Sequence, residues 1–520
     1  MIAALLRPEA YDHPTGAITL LETHISWVLL TGPWAYKIRK PVNLGFVDFS
    51  SVALRRYFSE EELRLNRRLA PDLYRDLVTI HGPAERASLH GDGPPLDTAV
   101  RMRQFPQEAL LAACLPRLAA APQDAAALFT TLAADLAGFH AAAARVAAEA
   151  PWGTPASVVE PALANLAVLE RCLGPAAIAP LRRWTEAEAA RLAPWFARRR
   201  ADGRIRECHG DLHLGNMVLL EGRITVFDCL EFSPTLRWID PISDLAFLAM
   251  DLSQRGHPEL ARLLLNRWLD ASGDWEGLRG WRWYATYRAL VRAKVTALRL
   301  EQLDATAAAE AAAAPALRRE LQAYLGTALA FSGAAAEPSP PALVITQGVS
   351  GSGKSHGARR LCERFGWLQL RSDVERLRLW PSDRYAPERS VHLYRQHLPA
   401  CADAAMAGGW SVLVDATFLR RRQRRRMAAL ARRRGARFAL LHCRVSEAEA
   451  LSRLERRRRA GGDPSEADAS VLRSQWPRNE EPGPDERDRV VVLEGDDLGE
   501  AELMRLLAIR TTPARPAQDR

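Results

Sequence analysis

Lysine is nearly missing from this sequence. Of 71 lysine and arginine residues in 520, only Lys37, Lys40, Lys294 and Lys354 are lysines; the other 67 are arginines. A chain that uses arginine almost everywhere marks each remaining lysine as a place for a compact ammonium rather than a planar fork. Cysteine is scarce as well: seven, scattered along the chain and with no CxxC pair. That speaks against a zinc knuckle or a disulfide framework and fits a reducing cytoplasm. No apolar run approaches the length of a bilayer span, and MIAALLRPEAYDHP breaks too early for a signal peptide. A cytoplasmic protein without membrane contact is expected.

What is present points to at least two folded domains, since 520 residues exceed one ordinary core. Net charge is +9, yet residues from 341 onward hold 34 basic against 24 acidic side chains, a surplus of 10. The basic excess therefore belongs to the C-terminal part, where it can attract phosphorylated substrates or nucleic acid. The Pro-rich stretch GAAAEPSPPA predicts a linker over 333–341. Before it, AITLLETHISWVLL and AYKIRKPV read as strands, a helix follows over about 51–69, and LVTI and AVRMRQF are extended again. Helices dominate from 106 to 332. This order predicts a small β-rich lobe over 1–105 and a helical lobe over 106–332. Strands and helices alternate over 342–510, which predicts a parallel α/β sheet. The tail 511–520 is expected to be disordered.

GVSGSGKS, Gly348 to Ser355, fits G-x-x-x-x-G-K-[ST] and stands between a strand and a helix. In such a loop Gly348, Ser350, Gly351, Ser352 and Gly353 let backbone N–H groups converge on phosphates. Lys354 reaches the β and γ oxygens, and the Ser355 hydroxyl ligates Mg²⁺. Downstream, RSDVER places Asp373 at a strand end with Arg376 three residues later. Asp373 there can serve as a base, and an N-cap role for it is compatible. Asp415 closes strand SVLVD, a Walker B position near Mg²⁺. In RLERRRRAGGDPSEAD, Arg453, Arg456 or Arg457 could neutralise charge on a moving phosphoryl group. In LRRRQRRRMAALARRRGAR a solvated face is favoured over a nucleic-acid grip, since no aromatic residues interleave to stack bases. The segment resembles the P-loop kinases of small molecules and of polynucleotide 5′-hydroxyls, including zeta-toxin-like proteins. That resemblance implies Asp373 as the base and Arg376 at the acceptor, with Arg453 and Arg457 in a lid over ATP.

Upstream, CHGDLHLGNMVLLEGRITVFDCLE spaces Asp211 and Asn216 as D-x-x-x-x-N, and Asp228 ends the strand ITVFD. A base beside the acceptor hydroxyl, with an amide and a second carboxylate on Mg²⁺, explains that spacing. His209 and His213 are read as structural rather than metal-binding. The stretch resembles the aminoglycoside phosphotransferase family, which has a bilobal protein-kinase-like fold. The resemblance implies Asp211 as base and Asn216 and Asp228 as Mg²⁺ ligands. It also implies a lysine on the third strand, matched by Lys37 rather than Lys40, and a helix glutamate, Glu62 before Glu61. Adenine would meet the hinge near 102–106, and Asp240 and Asp244 would be structural. No G-x-G-x-x-G loop is present to cover the phosphates. Late helices lie around the family's acceptor pocket, so Lys294, with Arg288 or Arg292, is expected to contact an anionic substrate.

The whole resembles bacterial fusions of an aminoglycoside phosphotransferase-like domain with an AAA-type kinase domain. The expected activity is bifunctional: ATP and Mg²⁺ serve two sites, each phosphorylating a hydroxyl of a small molecule, which can itself be anionic. Alternatives are a polynucleotide 5′-hydroxyl kinase at the C-terminal site, or one nucleotide-binding domain regulating the other.

Overall fold

The computed structural model describes residues 1–45, 47–91, 93–303, 308–334, 339–460, 467–494 and 497–507. The tail 511–520, residues 335–338 of the linker and residues 461–466 of the arginine-rich segment lie outside them. The chain packs as two compact units. One comprises Met1–Leu260 with Tyr284–Leu329, and the other Ala261–Trp283 with the chain from Ala330 onward. The segment Ala261–Trp283, expected in the helical lobe, thus packs within the second unit.

The first unit opens with a five-stranded antiparallel sheet in the order β1-β2-β3-β5-β4. Its strands are β1 (Thr19–Glu22), β2 (Ser26–Leu30), β3 (Trp34–Arg39), β4 (Tyr74–His81) and β5 (Pro95–Arg103). The run AITLLETHISWVLL, read as one extended stretch, is a hairpin. Thr23 turns it, its Oγ1 accepting from the Ile25 and Ser26 amides. Helix α1 (Val52–Asn66) begins at Ser51, whose hydroxyl accepts from Leu54 N at 3.2 Å. Its buried face is polar: Arg55, Ser59, Glu62 and Asn66 turn inward beside Leu65. A helix with that inner face is placed there for charge as much as for apolar burial.

The helical part contains α2 (Pro122–Ala142), α3 (Pro155–Leu173), α4 (Pro175–Ala201), α5 (Pro241–Gln254), α7 (Trp281–Glu301) and α8 (Ala308–Ser332), while α6 (Pro258–Ser272) belongs from Ala261 onward to the second unit. Every residue of α5 from Pro241 to Leu252 is buried. Asp240 caps it, accepting from Ile242 N and holding Arg199 through contacts of 2.7 and 2.8 Å. A short hairpin, β6 (Met217–Leu220) and β7 (Arg223–Val226), carries the segment between Asn216 and Asp228. Among the described residues α2 alone is long and apolar enough to cross a membrane, contrary to the expectation of no such run. Its hydropathy comes largely from alanine, and Phe129, Leu132 and Leu136 on it are fully buried.

The second unit is a parallel five-stranded sheet ordered β9-β10-β8-β11-β12. Its strands are β8 (Ala342–Gln347), β9 (Leu368–Arg371), β10 (Val412–Asp415), β11 (Arg437–Arg444) and β12 (Val490–Glu494). Helix α9 (Lys354–Phe365) follows β8, α10 (Ser372–Leu379) follows β9, α11 (Arg421–Arg433) follows β10, and α12 (Glu447–Ala460) follows β11. All six residues of β8 are buried, as a central parallel strand requires.

Edge strand β9 is closed by Asn266 of α6. Its Oδ1 accepts from Gln369 N at 2.7 Å and its Nδ2 donates to Gln369 O at 3.0 Å, so one amide replaces a neighbouring strand. Nearby, Trp275 Nε1 donates to Glu375 Oε1 at 3.1 Å. Asn266→Ala leaves both Gln369 groups without that partner and should cost the second unit about 2 kcal/mol. Urea unfolding followed by a probe in that unit measures the loss, and a change below about 0.5 kcal/mol would contradict this account of the edge.

Candidate active sites

In the first unit β3 alternates, so Lys37 and Arg39 share one face. Lys37 Nζ lies 2.8 Å from Glu62 Oε1 and 2.7 Å from Asp228 Oδ1. Arg39 donates to Glu62 Oε2 at 2.6 Å and to Glu231 Oε1 at 2.5 Å. Burial alone would lower the Lys37 pKa, but Asp228, Glu62 and Glu231 outweigh it and hold the ammonium well above its usual value. Lys40 instead meets Glu22 at the surface, and Glu61 pairs with Arg64 and Arg237.

The loop after Cys208 is fixed from behind. Asp244 accepts from the backbone N–H groups of His209 and Gly210 at 2.8 and 2.9 Å, and Asp251 accepts from Leu214 N at 3.0 Å. His209 contacts Phe227 O through Nε2 and accepts from Asp211 N through Nδ1. Burial lowers its pKa, and with Nε2 at the Phe227 carbonyl and Nδ1 at the Asp211 amide both ring nitrogens are engaged within the protein, leaving neither for a metal. Asn216 Nδ2 donates to Asp211 O and Oδ2, both at 3.0 Å, and His213 Nε2 lies 3.3 Å from Asp211 Oδ2. Burial would raise the Asp211 pKa, yet His213 above all, with Arg288 behind it, holds it well below the usual carboxylate range. Asp228 adopts φ 61°, a left-handed conformation held by Cys229 N donating to Asn66 Oδ1 and by Asp228 N donating to Tyr74 Oη. The Asp228 carboxylate and the Asn216 amide oxygen are hard oxygen donors suited to Mg²⁺.

The cations of α7 depart from expectation. Arg288 is buried and donates to Gly210 O at 2.8 Å and to Ser243 Oγ at 3.1 Å, bracing the loop from behind instead of facing an acceptor. Arg292 lies over the Tyr324 ring, 3.8 Å from Glu320. Lys294 is half-buried with no partner among the described residues, and burial lowers its pKa. The three do not form one cluster: Arg288 and Arg292 are engaged elsewhere.

In the second unit the loop from Gly348 to Gly353 leads into α9. Gly351 has φ 83°, and a Cβ there would lie 2.6 Å from Ala450 O, so only glycine fits. Lys354 is buried, Nζ donating to Val349 O at 2.6 Å, and burial lowers its pKa. Ser355 hydrogen-bonds to Asp415, whose buried carboxyl is pushed up by desolvation. Gln369 Nε2 donates to Asp415 Oδ2 at 3.1 Å, so the residue held by Asn266 also steadies the acid. Ser355 and Asp415 again offer the oxygen donors Mg²⁺ takes.

Lys354, Ser355 and Asp415, with Ser350, Gly351, Gly353, Asp373 and Arg376, line one cleft of about 1030 Å³. Asp373 sits in the first turn of α10, whose N-cap is Arg371, so the N-cap reading of Asp373 does not hold. Arg376 donates to Arg384 O and Ser390 Oγ and lies over the Tyr385 ring. Arg453 and Arg457 line the cleft; Arg456, 69% exposed, is not among the lining residues. Ser350 N already donates to Gln475 Oε1 at 2.8 Å, a partner that local motif spacing does not reveal. Arg39 and Glu231 were missed too, although Arg39 stands two residues beyond Lys37 on the same strand face.

Comparison with known proteins defines the class. Residues 53–281 match the model of the phosphotransferase enzyme family, and residues 343–482 match that of an AAA domain. The chain carries one domain of each kind and is an ATP-dependent phosphotransferase. Uncharacterised proteins of Mycobacterium tuberculosis and Mycobacterium bovis are 29% identical over 417 residues, 77% of this chain and 78% of theirs. Among solved structures, a choline/ethanolamine kinase family protein from Mesorhizobium loti matches 61% of this chain and 94% of its own, at 15% identity and TM-score 0.34. A gluconokinase from Sinorhizobium meliloti matches 33% and 91%, at 22% identity and TM-score 0.24.

The charge set around Asp211 gives a pH test. A carboxyl whose folded pKa is depressed contributes stability above its unfolded value, and that is lost as pH falls through the lowered value. His213→Ala removes the largest opposing group and leaves burial to raise the Asp211 pKa. The acid limb of phosphate transfer at this site should then move to higher pH; an unmoved limb would assign Asp211's depressed pKa to other groups.

Proposed function

We propose that the protein transfers the γ-phosphoryl group of ATP, with Mg²⁺, to hydroxyl acceptors at two separate sites, one in each unit. The observation that carries this reading is that each unit assembles its own ammonium, carboxylate base and pair of hard oxygen ligands. In the first unit Lys37 meets the α and β phosphates, while Asn216 and Asp228 would hold the cation. Asp211, kept ionised, orients the acceptor hydroxyl and receives its proton as the new O–P bond forms. A carboxyl with so low a pKa is a weak base, so its main contribution is alignment. In the second unit the backbone of Gly348 to Gly353 and Lys354 cradle the phosphates, and Ser355 and Asp415 would hold the cation. Asp373 receives the acceptor proton, and Arg453 and Arg457 face the transferred group. Bound Mg²⁺ supplies charge neutralisation between the β and γ phosphates at either site. Small-molecule acceptors are favoured at both.

Lys354→Ala and Asp211→Ala test the reading separately. Each should lower transfer at its own site about a hundredfold or more and spare the other, and the double variant should lose both. Labelled-phosphate transfer from ATP is the measurement. Full turnover by both single variants would refute two sites; one variant silencing everything would favour one catalytic domain and one regulatory domain.

A further inference from the structure

The cleft of the second unit holds more positive charge than a nucleotide needs. Among the described residues nine arginines and Lys354 line it, against Asp373 and Asp415, a surplus of eight. Lys354, Arg453 and Arg457 stand around the phosphate loop. The same cleft is lined by Asp373, by Arg395 and, from the start of α11, by Arg420, Arg422 and Arg426.

The pairing pattern along α11 is selective. Arg424 is buried against Glu486, with both contacts at 2.8 Å; Arg425 meets Asp485 at 3.0 Å; and Arg421 donates to Glu481 O at 3.2 Å. Those cations face away from the cleft and are satisfied. Arg422 and Arg426, one turn apart on the cleft face, have no hydrogen bond or ion pair among the described residues; the side chains of Arg395 and Arg420 make neither ion pairs nor carboxylate contacts there. Among the described residues, carboxylates pair with one face of the helix and not with the other. Like charges gathered around a concave site repel one another unless an anion joins them, and the guanidinium fork matches phosphate oxygens two at a time. The face expected to be merely solvated is therefore in part the wall of a binding site.

Resting on the two-site reading, we infer that the acceptor of the C-terminal site is a small alcohol that already carries phosphate, held by Arg395, Arg420, Arg422 and Arg426. A small molecule is favoured over a polynucleotide because the free arginines converge on a bounded cleft whose aromatic lining, Tyr385 and Tyr394, is already engaged by the Arg376 guanidinium. In the reaction the acceptor oxygen forms a bond to the γ phosphorus. The bridging P–O bond to the β phosphate breaks, ADP leaves, and the hydroxyl proton passes to Asp373 and then to solvent.

The test uses the full chain with Asp211→Ala, labelled ATP, and the small-molecule fraction of a cell extract, half of it treated with a phosphatase that is then removed. The untreated half should accept label and the treated half should not. Arg422→Gln with Arg426→Gln should raise the KM for that acceptor fraction about tenfold or more and move the KM for ATP less than twofold. Arg425→Gln, on the paired face, should leave the acceptor KM unchanged. Equal labelling of both halves, labelling of neither, or an unmoved acceptor KM in the double variant overturns the proposal. Preferential labelling of a 5′-hydroxyl oligonucleotide, with steep salt dependence, would replace the small molecule by a polynucleotide. If Lys354→Ala does not abolish the labelling, the two-site reading itself fails, an outcome distinct from those that bear on the acceptor.

Discussion

The first unit depends on one buried ammonium held between two carboxylates. Lys37 joins strand β3 to helix α1 through Glu62, and to the end of β7 through Asp228. Such a group is stable only if all three members are present, because removing one leaves uncompensated charge out of water. Arg39 repeats the tie two residues along the strand, using the other oxygen of Glu62 and reaching Glu231. Sheet, helix and catalytic loop are therefore positioned by ion pairs rather than by apolar packing alone. That explains why the inner face of α1 is polar. The cost appears at Asp228, whose φ of 61° is sustained by backbone donors to Asn66 and Tyr74.

The second unit meets the same demand with the opposite balance. Its phosphate loop uses backbone N–H groups and one ammonium, which turns to the Val349 carbonyl. Its two cleft aspartates are outnumbered by guanidinium groups. The first site sets Lys37, Arg39 and Arg288 against Glu62, Asp211, Asp228, Glu231 and Asp244 and is net negative before a nucleotide enters, whereas the second is strongly positive. Charge of that size favours association with multiply anionic molecules and weakens as salt rises.

The local motifs were legible because the chemistry that requires them is local. HGDLHLGN places the candidate base Asp211 and the candidate cation ligand Asn216 within one short loop, and GVSGSGKS places the Lys354 ammonium and Ser355 hydroxyl on the first turn of α9. Alternation in β3 was enough to prefer Lys37 to Lys40. What the sequence concealed is long-range pairing. Arg288 reaches Gly210 from 78 positions away, and Asn266 reaches Gln369 from 103; no spacing rule connects them. The hairpin inside AITLLETHISWVLL was hidden because Thr23-His24-Ile25 lacks the glycine or asparagine that usually announces a tight turn. On α11 arginine occupies both faces, so composition could not tell paired cations from free ones. Only the positions of Glu486, Asp485 and the cleft separate them.

The scarcity of lysine gains a sharper meaning from these contrasts. Lys37 contacts both Glu62 and Asp228, and Lys354 opens α9, whereas Lys40, no more exposed than Lys37, pairs among the described residues only with the exposed Glu22. Scarcity alone is therefore not a signal, and neither is burial; what separates Lys37 from Lys40 is the pair of carboxylates it joins. Arg39 supplies the comparison, being buried on the same strand face as Lys37. It bridges Glu62, Glu231 and the Phe58 carbonyl, a spread of acceptors that a planar fork spans and a single ammonium cannot. Lys37 must instead hold Asp228 yet remain able to turn toward phosphate. A compact charge on a flexible stem does this where a fork fixed by several hydrogen bonds would not.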